Sequence, residues 1–275
     1  MRNLSVLFTN PPYHSLNEDG VAVGRLWWNI VIKSLEDNPE KAMLIVPSSF
    51  HTPGSFQTPR YKPTKLVNMG YYITHLQSGI SHRFDNISIP ISYINLSREQ
   101  PEHAFIDGHP FYVKNNLLDG KYPIPFFATK NSCNIIRKCF NLDQPHRPSG
   151  IRSAEDGYKG SSAYGVVLQS GRFGYWDNRY IGKLEDCTVY GECLFYDKKD
   201  HESMTSIFSL NLYRYMFRTL GGESQQSRFA AIRFLPRLST DKIWTDKEVY
   251  EKFDLSDDEI KDIELDAGQK YKKEY

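Results

Sequence analysis

The chain has 275 residues, enough for one large domain or two modest ones. With 40% hydrophobic and 24% charged residues it can bury a core, which excludes global disorder. Its 34 Lys+Arg against 33 Asp+Glu leave a net charge of +1, so bulk charge does not advertise a nucleic-acid binder. The acid is nevertheless gathered between Asp254 and Asp266, and the body ahead of it is more basic and able to neutralise phosphates.

Aromatic residues reach 14%, a content that serves strands and base stacking alike. Cys133, Cys139, Cys187 and Cys193 form no Cys-x-x-Cys pair, and the histidines show no tight spacing. No metal site is therefore expected, and the thiols read as reduced, structural groups of a cytoplasmic protein. The apolar run Leu4 to Phe8 lacks the plan of a signal peptide, and no segment is long enough to span a bilayer.

In chain order, Leu4-Ser-Val-Leu-Phe8 reads as a short strand that stops at Thr9-Asn-Pro-Pro-Tyr13, where two prolines forbid further ladder or helix. Val23, Trp27, Ile30, Val31 and Leu35 have helical spacing over residues 21–36, ended by Asn38-Pro39. Ala42 to Pro47 is a buried-type strand expected to run parallel to the first. A weaker helix over 59–69 and strands over Ile73 to Leu76 and Ile87 to Leu96 follow. This order implies a parallel α/β sheet.

From about residue 100 strands shorten and turns multiply, at Asp107-Gly108, Asp119-Gly120, 148–150, Asp156-Gly157 and Gly171 to Gly174, which suggests a mostly β or α+β region. Met204, Ile207, Phe208, Leu212, Tyr215 and Met216 predict one helix over 201–220, stopped by Gly221-Gly222. Thr245-Asp-Lys-Glu248 and Ser256-Asp-Asp-Glu259 are capping boxes that announce two short helices.

The string Asn10-Pro11-Pro12-Tyr13 carries the chemistry. An Asn/Asp-Pro-Pro-aromatic string arises by chance in roughly one chain in a hundred of this length. Here it follows an apolar strand, at the carboxyl edge of an α/β sheet where ligands bind. A conjugated amino group is a poor nucleophile. Two acceptors gripping its N–H bonds hold the nitrogen nearer tetrahedral geometry and free its lone pair. The Asn10 carboxamide oxygen and the Pro11 carbonyl can be those acceptors, with Pro11 and Pro12 fixing the turn and Tyr13 offering a face for a flipped base. The competing reading is a Pro-Pro turn with a capping Asn and a packed Tyr.

This motif, the helix after it and Ala42-Met-Leu-Ile-Val-Pro-Ser-Ser-Phe50 resemble the catalytic half of the amino-group (adenine-specific) DNA methyltransferases of restriction–modification systems and phages. Arg83-Phe84-Asp85-Asn86-Ile87-Ser-Ile-Pro90 resembles the family's late motif, which implies Phe84 as a second base-stacking ring; a core Phe at a strand start weighs equally. Phe234-Leu-Pro-Arg237 and the stretch Ile243 to Ile260 are similar to the tail of methylases in which target recognition follows the catalytic motif. The 201–220 helix with Arg214 and Arg218 resembles the segment before that tail, whereas residues 105–200 match in texture alone.

The resemblance implies a partial Rossmann-like methyltransferase sheet over 1–104, an α+β target-recognition region over 105–236 and a helical tail over 237–275. It also implies S-adenosylmethionine as methyl donor and double-stranded DNA as substrate. The departure is large. The family carries a glycine-bearing donor-binding motif well ahead of the catalytic tetrapeptide, whereas nine residues precede Asn10 here. The glycines at 157–165, 171–174 and 221–222 read as turns. A second chain supplying the donor-binding half, a truncated remnant, and a fragment kept for DNA binding are the three explanations. A half-sheet would expose an apolar edge strand.

Candidate DNA contacts are Arg137, Lys138, Arg172, Asn178, Arg179, Lys183, Arg214, Arg218, Arg228 and Arg233, with Arg172 or Asn178 placed to reach base edges from the loop 170–179. Ordinary solvated charge is the alternative for each. Besides methylation of adenine in DNA, two functions stand: a non-catalytic DNA-binding specificity module, and methylation of a protein glutamine amide, whose nitrogen needs the same two acceptors.

Overall fold

The computed structural model describes residues 5–12, 15–16, 22–23, 26–51, 62–78, 80, 91–106, 108–112, 123–125, 128–140, 149–151, 164–169, 181–183, 191–221 and 234–268. The chain divides into two units, Met1–Cys133 and Asn134–Tyr275. Among the described residues no helix is long and apolar enough to cross a membrane.

The first unit is α/β. Strand β1 (Val6–Thr9) runs parallel to β4 (Lys41–Pro47), as expected, in a register that sets Val6 beside Lys41 and Thr9 beside Leu44. Between them come the small antiparallel ribbon of β2 (Ser15–Leu16) and β3 (Ala22–Val23) and then helix α1 (Leu26–Glu36). The helix therefore starts later than the spacing predicts, because Ala22 and Val23 are drawn into the ribbon. Its stripe Trp27, Val31 and Leu35 is fully buried, each side chain contributing roughly 1.5–3 kcal/mol.

Asn38 ends the turn after α1 with a positive φ of 56°, a conformation Asn tolerates better than most residues. The Tyr71 hydroxyl donates to Pro39 O at 2.9 Å, and Arg98 stacks on the Tyr71 ring while bonding Asn38 Oδ1 at 2.5 Å. Helix α2 (Lys62–Asn68) carries Pro63 in its first turn, where a missing N–H costs nothing. Gly70, at φ 80°, leads into β5 (Tyr72–Gln77).

The all-parallel expectation fails at β6 (Ile91–Ser97), which inserts between β4 and β5 antiparallel to both. A parallel connection needs a crossover of a dozen or more residues, usually a helix, and residues 78–90 have no 3.6-residue apolar pattern to build one. The sheet continues through β7 (His103–Ile106), parallel to β5, and β8 (His109–Tyr112), joined to β7 by a hairpin at Gly108 with φ 80°. The strand order is β1-β4-β6-β5-β7-β8, so β1 is terminal.

The two faces of this sheet differ. On one, Ala42, Leu44, Val46, Ile94, Leu96, Ile73, Leu76, Ala104 and Ile106 are almost fully buried. A bulge at Thr74 brings Ile73 and Leu76 onto this same face despite their three-residue spacing. On the other face, the row Phe8–Met43–Asn95–His75–Phe105 crosses five strands in register and stays half-buried or exposed.

The second unit has a four-stranded antiparallel sheet in the order β11 (Ile181–Lys183), β10 (Tyr164–Gln169), β12 (Gly191–Tyr196), β9 (Ser149–Ile151). Helix α3 (Lys130–Cys139) contains the division between the units. Where one helix was predicted over 201–220 there are two, α4 (His201–Ser209) and α5 (Asn211–Gly221), separated by an extended, buried Leu210. The break has a donor-acceptor cause: Asn211 N donates to Asp246 Oδ1 at 2.7 Å, so a carboxylate from elsewhere starts the second helix.

Helices α6 (Asp246–Lys252) and α7 (Asp257–Gly268) follow. Both predicted capping boxes form, Thr245 with Glu248 and Ser256 with Glu259. If Asp246 is what ends α4 and restarts α5, Asp246→Ala should lower the urea midpoint of this unit by an amount equivalent to about 1 kcal/mol. Asp246→Asn, which keeps an acceptor oxygen there, should change it by no more than a few tenths.

Candidate active site

The parallel strands of the first unit bring their carboxyl ends to one edge of the sheet. At the end of β1, Asn10 is exposed, Pro11 is buried and Pro12 is exposed. Pro11 thus anchors the turn while the carboxamide of Asn10 stands at the rim. Tyr13 and Phe84 lie outside the described residues.

At the end of β4, the Pro-Ser-Ser-Phe segment turns as a 3-10 helix over Ser48–Phe50 and starts a buried polar cluster that sequence reading did not single out. Ser48 Oγ is 2.8 Å from Ser92 Oγ, and Ser92 Oγ is 3.1 Å from His51 Nε2. All three residues are buried, at the level where β6 begins beside β4. Lys62, 4% exposed, donates to Ser49 O at 3.3 Å and lies 4.9 Å from the Trp27 ring and 5.8 Å from the Trp28 ring. Phe50 packs edge-on against Trp28 at 6.0 Å. The lysine and the two indoles tie α1, α2 and the turn after β4 together through cation–π contact. Nothing in the local sequence marks His51 or Lys62 as interior.

Burial is the main influence on His51, lowering its pKa from 6.5 to about 4; the backbone at Ile124 and Pro125 offsets part of that, and nearby Lys62 adds to it. The ring is therefore neutral at physiological pH, one nitrogen toward the Ser92 hydroxyl, and it serves as a fixed spacer between β4 and β6.

The resemblance leads one to expect a strand with an acidic end and a glycine-bearing turn for a methyl donor, and none is seen among the described residues. The strands that run toward this edge, β1, β4, β5 and β7, end on Thr9, Pro47, Gln77 and Ile106, none of them acidic. β7 passes through Gly108 straight into a hairpin rather than into a helix. Among the described residues there is also no cluster of His, Cys, Asp or Glu fit to hold a metal ion.

Of the candidate DNA contacts, Arg172, Asn178, Arg179, Arg228 and Arg233 lie outside the described residues, and Lys183 is described by its backbone in β11. Arg137 is exposed on α3. Its neighbour Lys138 is bonded to Glu259 Oε2 at 2.8 Å and to the Asp254 carbonyl at 2.5 Å. Arg214 and Arg218 are one turn apart on α5, both partly buried; Arg218 pairs with the buried Asp266 carboxylate, and burial draws its pKa down. The structure thus brings Asn10, Pro11 and Pro12 to one sheet edge and commits Lys138 and Arg218 to carboxylates of α7.

The sequence matches no family model and no curated protein.

The His51 cluster has a consequence in pH. The folded pKa, about 4, lies below the unfolded value of 6.5, so the unfolded chain takes up the proton first as pH falls. Stability of the first unit should therefore fall between pH 6.5 and 4, by up to about 3 kcal/mol, and level off below. Urea midpoints across that range should show this slope. His51→Gln should flatten it, and a slope that persists in the variant would assign it to other groups.

Proposed function

We propose that this chain is the catalytic and target-recognition part of an adenine-specific DNA methyltransferase, acting in the cytoplasm of a bacterial or phage-infected cell. In this reading β1, β4, β5 and β6 belong to a Rossmann-like methyltransferase sheet. The second unit contributes target recognition on double-stranded DNA. The observation that carries the proposal is the placement of Asn10: exposed, directly after a strand with a parallel neighbour, at the carboxyl edge of the sheet, and followed by a buried proline. That is where an α/β sheet binds ligands.

The chemistry assigned to this chain is the positioning of an amine. Asn10 Oδ1 and the Pro11 carbonyl accept the two N–H bonds of the adenine amino group and direct its lone pair outward. Both acceptors are held before the base arrives, so little reorganisation is needed during transfer. Tyr13 and Phe84 are the rings assigned to the flipped base. S-adenosylmethionine supplies the electrophilic methyl group, and its binding falls to a donor-binding segment other than the residues described here. Phosphate and base contacts are assigned to Arg137, Arg172, Asn178, Arg179, Lys183, Arg214, Arg228 and Arg233. Lys138 and Arg218 would contribute from within their ion pairs.

A tritiated-methyl assay offering duplex DNA and protein side by side tests the reading, run on the chain alone and with the polypeptide that supplies the donor site. Label is expected on adenine. Asn10→Ala should cut transfer by about 100-fold or more, the effect of losing one preorganised hydrogen-bonding group, with DNA affinity within about twofold. Label on glutamine would favour the protein-methylating alternative. DNA binding without transfer, indifferent to Asn10, would favour a non-catalytic specificity module.

A further inference from the structure

We infer that the exposed ammonium groups of Lys65 and Lys130 form a phosphate-contact strip along the sheet edge that bears Asn10, and that the strip takes the sugar–phosphate backbone of duplex DNA. That this DNA is the one methylated rests on the methyltransferase reading; the strip itself rests on where the chain places its charges.

The charges of the first unit are sorted by edge. Among its described residues, the carboxylates lie where β1 and β4 begin: Glu36 and Asp37 close α1, Glu40 precedes β4, Glu99 follows β6 and Glu102 leads into β7. Lys33, Lys41 and Arg98 stand among them. The opposite, carboxyl edge holds lysines. Helix α2 begins there at Lys62, with Lys65 one turn on. Ala128 N donates to Ser78 Oγ at 3.2 Å, just past the end of β5, so α3 also opens at this edge and Lys130 is its first residue. Lys65 and Lys130 are both exposed.

Local preference argues against lysines in these places. The positive end of a helix dipole favours acidic side chains. Helices α6 and α7 follow that rule, with Asp246 and Glu248 in one first turn and Asp257, Asp258 and Glu259 in the other. Helices α2 and α3 break it: each begins on a lysine and has no acid in its first turn. Departures from local preference gather where function imposes them. The contact is made by the ammonium groups and not by the helix ends, since Thr129 and Ser132 already cap α3. Each hydroxyl there receives the other residue's backbone N–H, at 2.8 and 3.1 Å.

The two lysines are spread along the edge. Lys65 Nζ lies 6.0 Å from the ring of Trp28, which packs edge-on against Phe50 in the turn after β4. That turn adjoins the strand that ends at Asn10. Lys130 belongs to the β5 end. From β1 to β5 the edge spans three strand spacings, about 14 Å, or the rise of about four base pairs. A lone exposed ammonium holds a small anion poorly in salt. On a polyanion, each ammonium that neutralises a phosphate releases condensed counterions, and separated cations add their effects.

The test is binding of the full chain to a mixed-sequence DNA duplex, followed by fluorescence anisotropy over a potassium chloride series. Lys65→Ala and Lys130→Ala should each flatten the slope of log K against log salt by about 0.9, the double variant by about 1.8, and Lys65→Arg should keep the original slope. Lys33→Ala, which removes an exposed lysine at the other edge, should leave it unchanged. Slopes that do not move in the Lys65 and Lys130 variants, an equal change in Lys33→Ala, or a chain that does not bind the duplex at low salt would overturn the inference. Flattened slopes in a chain that never labels adenine, even with the polypeptide that supplies the donor site, would uphold the strip and refute the methyltransferase reading. Adenine labelling with slopes indifferent to both lysines would do the reverse.

Discussion

β6 is paired with β4 over seven residues and with β5 over five, and the rest of the first unit hangs on that double ladder. It fixes the spacing of β4 and β5, which in turn fixes where α1 and α2 lie, and it carries Ser92 to the turn after β4. Reversing one strand at the centre keeps β1, β4, β5 and β7 pointing the same way without a crossover helix at each step. Their carboxyl ends therefore share one edge, and the side chains that follow them are collected there. The Ser48–Ser92–His51 contacts line the interior of that edge with hydroxyls and a neutral imidazole, beside the buried Lys62 ammonium that donates to Ser49 O. Ser48, Ser92 and His51 Nε2 bond one another at the lower cost of neutral hydrogen bonds, while Lys62 is held by a carbonyl oxygen and the faces of Trp27 and Trp28.

The second unit buries carboxylates. Glu259, 3% exposed, receives Lys138 Nζ and its own capping-box N–H on one carboxylate oxygen, each at 2.8 Å. Asp266, 8% exposed, receives Arg218. Such pairs return little net stability after desolvation, but removing one partner leaves the other uncompensated, so they fix where α7 sits more than they strengthen the fold. The apolar stripe of Leu212, Tyr213, Met216, Phe217 and Leu220 with Val249 and Ile263 provides the burial. A cation already matched to a buried carboxylate adds little to a field that attracts phosphate, and Lys138 and Arg218 are so matched.

What was legible in the sequence was what is decided locally. Pro11 and Pro12 stop β1 because proline cannot donate to a ladder. Thr245 to Glu248 and Ser256 to Glu259 cap helices because four residues hold both halves of the exchange. What was not legible is decided at a distance. Leu210 is in phase with the helical stripe around it, and the residue that breaks the helix there, Asp246, lies 35 positions beyond the Asn211 N–H that it receives. His51 follows a strand as loop histidines do, and its burial depends on Ser92, 41 positions away. Lys62 resembles any solvated lysine until the rings of Trp27 and Trp28 are placed against it. The reversed direction of β6 was missed: strand order suggested another parallel step, although residues 78–90 have no helical pattern to make the crossover. At the candidate edge, the proline stop after β1 was readable; the polar cluster that begins at the end of β4 was not.

The proline pair also explains how the site can be rigid at the end of an edge strand, which is ordinarily a frayed position. Burying a backbone N–H without a partner costs free energy, and a strand that stops short of its neighbour usually leaves one to be buried or solvated. Pro11 has no N–H, so its ring can be buried as a peg at the end of β1 without that cost. Pro12 fixes φ on the solvent side and, by sterics, holds Pro11 out of the helical region. The residue before the peg, Asn10, is then constrained from both sides, by the β1–β4 ladder and by the pyrrolidine ring, while its side chain stays at the surface. A backbone so held pays its ordering entropy when the chain folds, which in the proposed reading leaves less to be ordered when Asn10 and the Pro11 carbonyl meet an amino group.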